Sequence, residues 1–370
     1  MKPEDLLQLR PEGLYCPPAG VYIDPHRPVD RAVVTHGHSD HCRPGHRRLL
    51  ATPETLAIAR ARYGASAFGS VQALPPGEPL PLGEATLTLR PAGHVLGSAQ
   101  AVFEVGGVRA VVSGDYKRAA DPTCAPFEPV ACDLFVTEAT FGLPVFRHPP
   151  AEDEIARLLA SLAAHPDRCH AIGVYALGKA QRVIAELRRA GHDAPIHLHG
   201  ALVGLCDVFE RLGVPLGPLE PIKGAARRDD LRGAVVLAPP SALADRWARK
   251  LPDALVCAAS GWMQVRQRAK QRGVELPLIV SDHADWDGLT ATILETGAEK
   301  VWVTHGAEEA LCHWAAGQGL DARPLALAGR GDDDEAAPGH EDAAAPNPEA
   351  PNPDAPNPAS SAPAAAPGKA

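Results

Sequence analysis

Six consecutive residues, His36-Gly37-His38-Ser39-Asp40-His41, put four metal-capable side chains one residue after the apolar run Ala32-Val33-Val34. A strand leaving into a tight Gly/Ser turn can aim His36 and His38 at one ion and Asp40 and His41 at a neighbouring one. The chemistry this predicts is hydrolysis at a two-metal centre, with water as the nucleophile. Other candidates stand where further apolar runs stop. Asp24 follows Val21-Tyr22-Ile23, His94 lies in Gly93-His94-Val95-Leu96-Gly97-Ser98, and Asp115 follows Val111-Val112-Ser113-Gly114. His283 follows Leu278-Ile279-Val280-Ser281-Asp282, and His305 follows Val301-Trp302-Val303-Thr304. Ligands at the ends of several strands converge on one edge of a sheet. His36, His38 and His94 would then hold one ion and Asp40, His41 and His305 the other, with Asp115 bridging. Carboxylates with imidazoles suit zinc, with manganese as the alternative, and no thiolate is required. Such a pair would lower the pKa of a bridging water and offset charge on phosphate oxygens, and Asp40 could also orient that water.

The elements that must position these residues are short. Strand-like runs at Val21–Ile23, Ala32–Thr35, Ala85–Arg90, Ala101–Val105, Arg109–Ser113 and Leu134–Thr137 are bounded by Pro and Gly, with a helix over Pro53–Tyr63. From Ala151 the pattern changes to helices alternating with strands: helices at Glu152–Ala164, Lys179–Ala190 and Leu202–Leu212, strands at Ala171–Val174 and Ile196–Leu198. That alternation implies parallel βαβ units. Ala234–Ala238 and Leu255–Ala258 add strand-like runs, and Leu276–Ser281 and Lys300–Thr304 resume the earlier manner, each ending at a histidine. The simplest parse is one α/β lobe over 1–148, interrupted by an insertion over 149–274, completed over 275–330, and followed by a tail over 331–370.

The tail is read from composition. Ala, Pro, Asp, Glu and Asn dominate it, and the pentad Ala-Pro-Asn-Pro-acid/Ala runs from Ala345 to Ala359. Such a segment cannot bury enough apolar surface to offset its ordering entropy, so disorder is expected. It holds eight acids against Lys369, a net of −7, so the whole-chain charge of −9 leaves −2 for the rest. Net charge therefore neither supports nor excludes a polyanionic partner. The eight cysteines show no C-x-x-C pair and no disulfide-like spacing. With no secretory pattern after Met1 and no apolar run of about eighteen residues, a soluble protein with reduced thiols, cytoplasmic in location, is expected.

Taken together these motifs resemble the metallo-β-lactamase-fold nucleases of the β-CASP group. The resemblance rests on the hexad, on Gly93 to Ser98, on Ser113-Gly114-Asp115, and on Glu138-Ala139-Thr140-Phe141-Gly142. It extends to Ser281-Asp282-His283-Ala284-Asp285-Trp286, to Thr304-His305-Gly306, and to Tyr175-Ala176-Leu177-Gly178-Lys179-Ala180-Gln181, which is similar to the 3′-end-processing endonuclease branch. It implies an αββα sandwich with an inserted β-CASP-like α/β cap domain. It also implies that His305 is a ligand of the second ion, that His283 contacts the scissile phosphate or protonates the leaving oxygen, and that Glu138 holds His283 in the needed tautomer. Asp24 would brace the ligand loop. The shorter cap is similar to that of the compact bacterial exonucleases associated with DNA ligases and helicases, which implies DNA end repair; RNA is the alternative substrate. A small-molecule hydrolase of the lactamase or glyoxalase type would share the hexad but lack the insertion and the Glu138/His283 pair.

Other chemistry-bearing residues admit plainer readings. His197-Leu198-His199 imitates a ligand pair with no partner motif, and Cys42 reads as a small buried hydrophobe. Lys179 near a helix N-terminus would suit a phosphate. Lys117-Arg118 and the basic stretch Arg266 to Arg272 could follow a nucleic-acid backbone or form solvated faces.

Overall fold

The computed structural model describes residues 1–222, 231–325 and 327, so the tail expected over 331–370 lies outside the described residues. Three sheets account for its strands. The first runs in the order β1 (Gln8–Arg10), β2 (Gly13–Cys16), β3 (Val21–Ile23), β4 (Arg31–Val33), β5 (Arg48–Ala51), β6 (Ser70–Ala73). The second is built from β7 (Pro79–Leu82), β8 (Ala85–Pro91), β9 (Ala99–Val105), β10 (Val108–Val112) and β11 (Leu134–Ala139), joined across a long chain interval by β18 (Lys300–Gly306) and β19 (Asp321–Pro324). The interval supplies the third, from β12 (His170–Gly173), β13 (Ile196–Leu198), β14 (Leu219–Pro221), β15 (Val235–Ala238), β16 (Leu255–Ala259) and β17 (Leu276–Leu278). Its order is β14-β13-β15-β12-β16-β17 and every pairing is parallel.

Side-chain alternation explains how the first two sheets meet. Along β8, Ala85, Leu87, Leu89 and Pro91 are buried while the intervening residues are less so, the period-2 pattern of a strand with one core face. These residues interlock with Leu14, Val33 and Leu50 of the first sheet and with Phe103, Val112, Val136 and Trp302 of the second. The outer faces are covered by helices. Helix α1 (Pro53–Tyr63), capped by Thr52 Oγ1 accepting from Thr55 N at 3.2 Å, lays Leu56 and Ala59 on Ala32, Leu49 and Ala51. Across the second sheet, α7 (Trp286–Thr296) and α8 (Glu308–Gly317) pack Leu289, Ile293 and Leu311 on Val111, Phe135 and Val301. The layers are α, β, β, α.

Helices α2 (Ala151–Ala164), α3 (Lys179–Arg189), α4 (Gly200–Arg211), α5 (Pro240–Ala244) and α6 (Arg266–Gln271) belong to the interval that builds the third sheet. Its core joins Ile172, Val183, Ile184, Leu202, Phe209 and Leu237, and it reaches Ile58 of α1. The strand at Leu276–Leu278 lies beyond the boundary expected at 274/275, yet it pairs with β16 and so with the third sheet. An apolar run announces a strand but not which sheet accepts its hydrogen bonds, so this placement needed tertiary structure. Among the described residues no helix is long and apolar enough to cross a membrane.

Candidate metal centre

Topology brings the predicted residues to one edge. β3 and β4 are parallel, and β8, β10, β11 and β18 all point the same way, so the residues that follow them meet. Asp24 follows β3, the hexad follows β4, His94 follows β8, Asp115 follows β10, Glu138 and His305 lie near the ends of β11 and β18, and His283 follows β17. Gly114 makes the approach of Asp115 possible. Its φ of +57° suits glycine, and a Cβ there would sit 2.6 Å from Thr35 Oγ1.

The side chains form three groups that could hold a metal ion, two rich in histidine and a third of Asp115, Glu138 and His283. The potential donor atoms of His36, His38, His94 and Asp115 lie within 4.8 Å of one another, as do those of Asp40, His41 and His305. Asp115 Oδ2 is central, 3.4 Å from His36 Nε2, 3.3 Å from His41 Nε2 and 3.9 Å from His94 Nε2. Every one of these seven side chains is buried. Burial lowers His36 and His94 well below the ordinary histidine range, which keeps both rings neutral and able to ligate. Burial alone would raise Asp115, but the imidazoles of His41, His36 and His283 overcome it and hold the carboxyl well below its usual range. Asp40 is likewise lowered, burial opposing and His41 prevailing.

Hydrogen bonds from outside fix which nitrogen faces inward. His94 Nδ1 donates to Asp282 O at 2.7 Å and His38 Nε2 donates to Leu177 O at 3.2 Å. A carbonyl can only accept, so these two bonds turn the other ring nitrogens, His94 Nε2 and His38 Nδ1, towards each other, 2.9 Å apart. His36 Nε2 and Asp40 Oδ1 are also buried with no hydrogen-bond partner among the described residues, although such groups are normally satisfied. The donor set fits divalent metal on both counts. On the other cluster, Asp24 takes the bracing position: it accepts from Thr35 N at 2.7 Å, Thr35 Oγ1 at 2.6 Å and His41 Nδ1 at 2.8 Å, turning His41 Nε2 towards Asp40 and Asp115. His305 sits at φ +63° with its N–H donating to Glu308 Oε1 at 3.0 Å, its ring 6.2 Å from that of His41.

Beside the two His-rich groups stands the pair of His283 and Glu138. His283 Nδ1 is 2.9 Å from Glu138 Oε2, whose other oxygen accepts from Tyr116 N at 2.7 Å. The His283 ring lies 4.6 Å from that of His94. The remaining candidates disperse. His199 caps α4 by accepting from Ala201 N, His197 lies 3.5 Å from Glu220, and Cys42 is buried with its thiol pushed up to about 12 by burial. Lys117 and Lys179, each 1% exposed, are ion-paired to Asp121 and Asp282 and are not available to a nucleic-acid backbone. Arg118 pairs with Glu295 at 2.9 Å. Sequence reasoning missed Thr35, Asp282 and the Leu177 carbonyl. A carbonyl carries no residue signature, and Asp282 is marked only by standing beside His283.

Layers and centre together define a mixed α/β protein with a His/Asp cluster for divalent metal at the ends of its strands. No family model matches the chain. It is 30% identical over 325 residues to a probable DNA ligase of Opitutus terrae, covering 84% of this chain and 30% of that protein. It is 30% identical over 124 residues to cleavage and polyadenylation specificity factor 73 of Drosophila melanogaster (31% of this chain, 18% of that one), and 28% identical over 208 residues to endoribonuclease ysh1 of Emericella nidulans (45% and 23%). The chain thus spans about a third or less of the length of these curated relatives. Among solved structures, a protein of unknown function from Enterococcus faecalis V583 shares the fold at a TM-score of 0.55 and 12% identity, over 78% of this chain and 79% of that one. The chain is homologous to β-CASP metallo-β-lactamase nucleases related to the 3′-end-processing enzymes.

Proposed function

We propose that the chain is a metal-dependent phosphodiesterase, an exonuclease that trims DNA ends in repair, working in the cytoplasm beside a DNA ligase and a helicase. Two ions, zinc or alternatively manganese, would occupy His36, His38 and His94 on one side and Asp40, His41 and His305 on the other, sharing Asp115. Bound there, divalent ions supply a lowered pKa for water and neutralisation of phosphate charge. The chain's residues do the rest. Asp40 would orient the attacking water, whose proton passes to solvent as the oxygen–phosphorus bond forms; His283 would deliver a proton to the leaving oxygen as the opposite bond breaks. Glu138 orients His283 and stabilises its protonated form. The described residues of 149–274 together with β17 would form the cap, and the described residues of 1–148 and of the remainder of the chain after β17 would form the catalytic lobe.

The observation that carries this reading is the His283–Glu138 pair at 2.9 Å beside the His94 ring. Metal ligands alone would serve a small-molecule hydrolase equally well; a poised acid next to them suits an alkoxide leaving group. DNA and the ligase association are supported by the match of 84% of the chain to part of a probable DNA ligase, and eight free cysteines suit a reducing compartment. Matched DNA and RNA strands labelled at either end, incubated with zinc or manganese, test the reading. Stepwise shortening of DNA from one end is expected; internal cuts in RNA would transfer the chain to RNA processing. Hydrolysis of a chromogenic ester or thioester with neither nucleic acid touched would overturn it.

A further inference from the structure

The two carbonyls that orient His38 and His94 both come from segments bordering the third sheet. Leu177 lies between β12 and α3, and Asp282 follows β17. These two segments are locked to each other by charge. Lys179 Nζ is 3.1 Å from Asp282 Oδ2 and donates to Val280 O at 2.7 Å. Arg182 Nη1 donates to Ser281 O and stands 3.2 Å from Asp282 Oδ1, while its Nε lies 3.5 Å from Asp121 Oδ2. Lys117 completes the group, 2.6 Å from Asp121 Oδ2, 3.9 Å from Asp282 Oδ1, and donating to His94 O at 3.3 Å. The five side chains are between 1% and 7% exposed. Gly178, at φ +85°, leaves room there for Val95, the residue after His94.

Charges buried this deeply are costly unless each is paired, and removing hydrophobic alternatives in favour of them is not a route to stability. What they provide is position. The Asp40, His41 and His305 cluster is braced directly by Asp24 at the end of β3, which also touches the first cluster through Thr35 Oγ1, 3.1 Å from His36 Nδ1. Only the first cluster is held by the Leu177 and Asp282 carbonyls. We infer that Lys179, Arg182, Lys117, Asp121 and Asp282 are positioning residues for one ion only: they clamp the Leu177 and Asp282 carbonyls against His38 and His94, so that α3 and the third sheet complete the His36/His38/His94/Asp115 site. The inference rests on the reading of the two clusters as metal sites.

Cobalt binding to the purified full chain tests it, with equivalents counted by equilibrium dialysis and the geometry of each read from visible absorption. The unaltered protein should take up two equivalents. Lys179→Met should weaken one of them by roughly tenfold to a hundredfold and change its absorption band, leaving the other equivalent as it was; Lys179→Arg, which keeps the charge, should restore it. Asp24→Asn, which loosens His41 directly and His36 only through Thr35, should weaken the other equivalent more than this one. The melting temperature of the metal-free variants reports the fold. If Lys179→Met alone does not fold, the double variant Lys179→Met/Asp282→Asn, which leaves no unpaired charge between those two positions, carries the same expectation. Two equivalents held with unaltered affinity and spectrum in the folded variant, or both weakened equally, would overturn the inference. Failure of the unaltered protein to bind cobalt would instead remove the metal-site reading beneath it.

Discussion

The roles proposed for Asp40 and His283 separate experimentally. Asp40 is buried at the second cluster with Oδ1 unpartnered among the described residues, so Asp40→Ala deletes a candidate ligand without opening an apolar core. Cleavage should fall to background while the metal-free melting temperature holds; retained turnover would sink the two-cluster reading. His283, by contrast, meets Glu138 and lies beside the ligands without belonging to either His-rich cluster. His283→Ala should slow cleavage by about 10²-fold or more, typical of lost acid catalysis, with metal content unchanged. Metal loss in that variant would make it a ligand. The hexad was legible because four donors fall within six residues, whereas Thr35 and Leu177 act through backbone geometry or a single hydroxyl that many loops contain.

The loop between β12 and α3 shows how an element serves the centre. Gly178 has φ +85°, and any side chain there would run into Val95. Gly178→Ala should cost about 1–3 kcal/mol of backbone strain and lower the melting temperature of the metal-free protein by several degrees; an unchanged midpoint would show that the loop tolerates a wider separation from His94. At this scale sequence reading did well where one face is buried: β3 and β8 carry clear periods, and the βαβ alternation of the third sheet follows from its fully buried parallel strands such as Val235–Ala238. It missed β6 and β7, whose residues are largely exposed and lie at sheet edges, because an edge strand has little apolar pattern to detect. The basic stretch at Arg266 became a short helix, with Arg268 stacked 3.9 Å over Trp262, a use of charge that composition does not announce.

For the molecule as a whole, mild acid should weaken the fold. Burial pushes His46 and His148 down to about 4 from an ordinary 6.5. Unfolded, these rings bind protons that the folded ones refuse, so their contribution is fully present above pH 6.5 and is lost as pH falls towards 4. The metal-free protein's melting temperature should decline across that window, and less steeply in His148→Gln; equal slopes would remove His148 from the account. Charge at the other end of the chain should matter less. Residues 331–370 carry −7 of the net −9, which a polyanionic substrate would feel at low ionic strength. At about 0.15 M salt, exposed charges more than about 8 Å apart are largely screened. Removing 331–370 should therefore leave turnover on end-labelled DNA within about twofold at that salt, while strengthening binding at about 0.01 M, where the screening length reaches about 30 Å. Turnover lost at both salt concentrations would give the segment a direct part in catalysis, and turnover and binding unaffected at both would show that its charge never reaches the substrate.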